Sequence, residues 1–102
     1  MKFGLSDDQY SILNELLIKP LKTKNASVYV FGSRARGSYH PYSDIDILFI
    51  DDQKNPVSQS EIAKINEDLE ESRLEIKVDI VRSEDLAKSY ADSVNEDKIL
   101  IE

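Results

Sequence analysis

Phe31-Gly32-Ser33-Arg34-Ala35-Arg36-Gly37, followed by Ser43-Asp44-Ile45-Asp46-Ile47, joins the end of one apolar run to the start of another. Ser27 to Phe31 is a β-branched and aromatic run and predicts a strand. Gly32-Ser33 ends it abruptly, and a short helical turn through Arg34, Ala35 and Arg36 runs to Gly37. The next residues, to Ser43, hold Ser, Pro, two Tyr and the only His, and read as loop. Asp44 to Ile50 predicts a second strand. Its second half is apolar at every position, as in a strand buried on both faces.

Upstream, Ser6-Asp7-Asp8-Gln9 has the pattern of a capping box. Tyr10, Leu13, Leu16 and Leu17 then share one helical face, with Ile12 beside it. Pro20 stops that helix or breaks its register. Downstream, Ser58-Gln59-Ser60-Glu61 is a second capping box, opening a helix with Ile62, Ile65 and Leu69 on its inner face. Ile76 to Val81 alternates and predicts a third strand. Ser83 caps a last helix that puts Leu86, Tyr90 and Val94 in the core. Ile99 to Ile101 is a short apolar tail that either pairs with the sheet or docks on a partner. The expected class is α+β (mixed α/β): a small mixed sheet flanked by helices, as one domain over residues 1–102.

Composition narrows the function. The chain has 102 residues, enough for one compact domain. It has no cysteine, which excludes disulfides and thiolate metal sites. No run reaches the length of a membrane helix and the N-terminus lacks a signal-peptide core, so a cytoplasmic protein with no membrane partner is expected. The net charge of −7 disfavours a long nucleic acid as substrate. A basic protein partner, or a phosphate ligand held by metal and a local cationic pocket, suits it better.

Side chains alternate along a strand, so Asp44 and Asp46 point to one face. Two carboxylates on a largely apolar strand repel each other and are costly to desolvate. A divalent cation between them is one remedy, and all-oxygen ligation suits Mg²⁺ or Mn²⁺ rather than zinc. Asp79 sits among Val78, Ile80 and Val81. If its strand neighbours the second, it completes a three-carboxylate cluster able to hold two metal ions for in-line phosphoryl displacement. Gly32 lets the backbone approach a phosphate, Ser33 adds a hydroxyl, and Arg34 and Arg36 bring positive charge. A Gly-Ser pair or an Asp-x-Asp alone is weak. Gly-Ser after one strand, ten residues, Asp-x-Asp in the next and an Asp in a third is specific.

The two quoted segments resemble the signature of the nucleotidyltransferase superfamily that includes DNA polymerase beta and kanamycin nucleotidyltransferase, and above all its minimal members, the MNT proteins. The resemblance spans nearly the whole chain and implies the catalytic palm of that superfamily. It implies that Asp44 and Asp46 ligate two Mg²⁺ ions, that Asp79 ligates the one nearer the attacking hydroxyl and helps accept its proton, and that Gly32 and Ser33 hold the triphosphate of ATP. It further implies an antitoxin that transfers AMP to a tyrosine of a HEPN-domain ribonuclease toxin. The alternatives are an antitoxin that only binds and occludes its toxin, and an aminoglycoside-type enzyme acting on a small molecule.

Blander readings stand beside these. An isolated Asp-x-Asp is usually a solvated strand edge. Arg34 and Arg36 are as readily turn residues as phosphate ligands. His40 makes no site alone. Tyr39 and Tyr42 cover the core more readily than they stack on a base. The acidic stretch Glu67 to Glu75 is a solvated helix face.

Overall fold

The protein is described here by a computed structural model covering residues 3–101. The first helix begins as its capping box dictates. Ser6 Oγ accepts from the Gln9 backbone N–H, and Gln9 Oε1 accepts from the Ser6 N–H. This opens α1 (Asp7–Leu13).

Pro20 does not end the helical path. It has no N–H to give to the Leu16 carbonyl, and its ring crowds that carbonyl. The chain answers by widening to a π segment over Asn14–Ile18, with the Lys19 N–H reaching back five residues to Asn14 O. α2 (Lys19–Thr23) then resumes with Pro20 in its first turn. The register shift keeps Leu17, Ile18 and Leu21 buried on the side that Leu13 occupies.

The remaining order is β1 (Ser27–Phe31), α3 (Ser33–Arg36), β2 (Ile45–Ile50), α4 (Gln59–Glu70), β3 (Val78–Arg82), α5 (Lys88–Asp97) and β4 (Ile99–Leu100). The four strands form one sheet in the order β3-β2-β1-β4. β1 runs antiparallel to β2 and to β4, and β2 runs parallel to β3 through the α4 crossover. The sheet is therefore mixed and flanked by helices, as the sequence leads one to expect.

Strand alternation divides the sheet into two unlike faces. Val28, Val30, Ile45, Ile47 and Phe49 pack with Leu13, Leu17, Leu21, Ile65 and Leu69 into the main core. Asp46 and Asp79 point the other way. Leu48, also on that second face, and Val94 of α5 are buried outside the main cluster.

Three expectations change at the C-terminal end. Ser83 opens a 3₁₀ turn, Ser83–Asp85, rather than capping a helix, and α5 starts only at Lys88. Leu86 is left in the connection and Tyr90 is 65% exposed; of the three apolar residues assigned to this helix's core face, only Val94 is buried. The apolar tail pairs with the sheet: Ile99 and Leu100 sit opposite Val30 and Tyr29.

Candidate active site

The end of β1 and the start of β2 meet in register. Phe31 pairs with Asp46, so Gly32 lies beside the Asp46 side chain. Gly32 has φ 75° and ψ −152°, a region open essentially to glycine alone. A Cβ built there would collide with the Asp46 carboxylate. The glycine is thus required twice, by the backbone and by the carboxylate stacked against it. Immediately after it, Ser33 opens α3, whose first intrahelical bonds run from Ala35 and Arg36 to Gly32 O. The Ser33 hydroxyl carries no hydrogen bond among the described residues.

Asp46 and Asp79 are direct partners in the parallel β2–β3 register, on the same face. Asp44 lies just before β2 and is exposed. Burial pushes the Asp46 carboxyl above the usual aspartate range; the charges of Asp79 and then Asp44 push it further, against Arg36 and Lys77. Asp79 is approached by Lys77, Nζ to Oδ1 3.5 Å, a largely solvated pair.

This all-carboxylate set, with its mutual repulsion, has the donor chemistry of a hard divalent cation site. It is not a closed cage, since no three acidic or imidazole groups converge closely enough to hold an ion among the described residues. The expected three-carboxylate cluster is therefore realised as a register pair, Asp46 and Asp79, with Asp44 at its margin.

The two arginines separate. Arg34, expected at the phosphate, is 3% exposed and turned under the loop. Its guanidinium donates to the carbonyls of Phe3, Pro41 and Ser43. It also lies over the Tyr39 ring, 5.1 Å from the centroid. With four hydrogen bonds already made to backbone, it is a strap for residues 38–43 and not a phosphate ligand. Burial lowers its pKa, opposed by Tyr39.

Arg34→Ala is expected to lower stability by roughly 2–3 kcal/mol, because three part-buried carbonyls lose a charged donor and the buried guanidinium leaves a gap. Arg34→Lys should fall nearly as far, since an ammonium cannot span the three carbonyls. A thermal melt checks both, and an unchanged melting temperature would mean that the guanidinium does not hold the loop. Tyr39 packs against Gly4 as well as Arg34, while Tyr42 is 78% exposed.

Arg36 stays at the site. It is half exposed and pairs with Asp97 of α5, Nη1 to Oδ2 2.7 Å. Asp97 has no signal in the sequence, because it lies 61 residues away in the chain and its helix carries no motif. Lys77 is different: its i,i+2 spacing to Asp79 before a strand already puts the two on one face.

Comparison with known proteins bears on the family and the fold. A family model described as "Nucleotidyltransferase domain" matches residues 12–101. A candidate protein adenylyltransferase of Methanocaldococcus jannaschii is 38% identical over 81 residues, covering 78% of this chain and 80% of that protein. Among solved structures, a candidate minimal nucleotidyltransferase superposes with a TM-score of 0.62 at 27% identity, covering 92% of this chain and 89% of the other. A toxin–antitoxin solved with AMP-PNP superposes with a TM-score of 0.64 at 23% identity, covering 85% and 70%, and shares the fold.

Proposed function

The chain belongs to the nucleotidyltransferase domain family, and from that premise we propose that it transfers AMP from ATP, with Mg²⁺, to a tyrosine of a HEPN-domain ribonuclease toxin and thereby acts as its antitoxin. The observation that carries this reading is the register of Asp46 with Asp79, beside the positive-φ Gly32 that leads into Ser33. The resemblance to a protein adenylyltransferase candidate supports a protein acceptor. The toxin–antitoxin of the same fold supports the choice of partner. A net charge of −7 suits a surface that meets a basic ribonuclease.

The reaction forms one bond, from the acceptor oxygen to the α-phosphorus, and breaks one, from that phosphorus to the bridging oxygen of pyrophosphate. The Gly32-Ser33 corner binds the triphosphate through the Ser33 hydroxyl and the first backbone N–H groups of α3, and Arg36 adds positive charge beside it. Asp46 and Asp79, with Asp44, would hold Mg²⁺, which supplies charge neutralisation at the phosphates and a lowered hydroxyl pKa. Asp79, on the outer strand, faces the acceptor and holds its departing proton. Apart from that proton transfer, catalysis is positioning and charge, with no covalent enzyme intermediate.

The test uses ATP labelled at either the α- or the γ-phosphate, with the purified toxin as acceptor. Label is expected on the toxin from the α-position only, with most of the transfer lost in Asp79→Asn. Transfer of γ-label, or full activity in that variant, would overturn the assignment.

A further inference from the structure

α5 is lightly held for a helix of ten residues, with only Val94 buried. Its last residue, Asp97, nevertheless reaches across to the last turn of α3 and binds Arg36. A carboxylate at a helix C-terminus faces the negative end of the helix dipole and needs a cation nearby. The Asp97 side chain is only 18% exposed, which sharpens that need, and Arg36 supplies the cation.

Arg36 gives Asp97 one corner of its guanidinium; its other donors have no partner among the described residues, and the side chain is 51% exposed. Arg36 sits at the end of the short helix that opens on the Gly32-Ser33 corner, one turn after Ser33. A planar fork fixed at one edge and open at the other matches a pair of phosphate oxygens. Without the anchor, a long side chain on a four-residue helix has to be ordered by the ligand itself, and binding weakens.

We propose that Asp97 is a positioning residue: by holding Nη1 of Arg36 it aims the free edge of the guanidinium at the triphosphate bound on Gly32-Ser33, so the end of α5 belongs to the nucleotide site. This rests on the nucleotide reading above.

The experiment measures, by calorimetry, the affinity of a non-hydrolysable ATP analogue with Mg²⁺ for wild type, Asp97→Asn, Asp97→Glu, Arg36→Gln and the Arg36→Gln/Asp97→Asn double variant, with a melting curve for each. Asp97→Asn is expected to bind about fivefold more weakly, the upper end for a half-exposed pair. Asp97→Glu should recover most of that loss. In the Arg36→Gln background, Asp97→Asn should cost nothing further, which a merely structural role would not produce. Equal or tighter binding by Asp97→Asn, or a full additive loss in the double variant, would overturn the proposal while leaving the nucleotide reading intact. Failure of the wild type to bind would overturn both.

Discussion

Asp46→Asn is expected to cut AMP transfer at least about a thousandfold, the scale of losing a preorganised charge from a reaction centre, and to raise the melting temperature of the nucleotide-free protein by a few degrees. Both effects have one cause. Asp46 is half buried and faces Asp79 in register with Asp44 nearby, so its carboxyl is pushed above the usual range. The folded state then holds that proton more tightly than the unfolded state does. Stability is full below the ordinary aspartate value near 3.8 and falls as pH rises from there through the raised value. At neutral pH the whole penalty is present, and an isosteric amide removes it. Melting curves of both proteins from pH 3 upward check this: the variant should gain in stability relative to the wild type as pH rises through that window. A variant that melts lower than wild type at neutral pH would mean that Asp46 is not in conflict with its neighbours.

Gly32→Ala is the second large effect. The backbone at φ 75° and ψ −152° costs a non-glycine residue roughly 1–3 kcal/mol. The added methyl also falls on the Asp46 carboxylate, so Asp46 has to move. A displacement on the order of 1 Å at a positioning site costs about a hundredfold in rate. The expected outcome is a lower melting temperature together with at least that loss of transfer. The double variant Gly32→Ala/Asp46→Asn separates the two causes: strain persists in it, whereas an additional rate loss from Gly32→Ala should nearly vanish once Asp46 is gone. Independent, additive losses would mean that the glycine and the carboxylate do not share space.

These two residues also show what the sequence discloses. Local rules with a local cause carry over: both capping boxes form, and the strand before Gly32-Ser33 and the Asp-x-Asp strand pair as neighbours. Asp79 falls opposite Asp46 because a parallel strand after one crossover helix has few other places to go.

What stayed hidden depends on contacts distant in sequence. The nature of the Pro20 break was open because a π segment is a tertiary compromise that keeps Leu17 and Leu21 inside. Arg34 and Arg36 look equivalent in the chain, yet the one is swallowed by carbonyls of the loop and of Phe3 while the other meets Asp97. Tyr90 fits a helical stripe with Leu86 only if the helix starts at Ser83; a start at Lys88 leaves Leu86 outside the helix, and Tyr90 lies exposed.

Modification of a partner and mere coverage of it are told apart by the intact mass of the proposed acceptor, a purified HEPN-domain toxin, after incubation with ATP, Mg²⁺ and a substoichiometric amount of this protein. Every toxin molecule is expected to gain one or more AMP units on tyrosine and to lose ribonuclease activity, because one enzyme serves many toxins. An unmodified toxin, inhibited only at equimolar ratio and equally well by Asp79→Asn, would contradict modification.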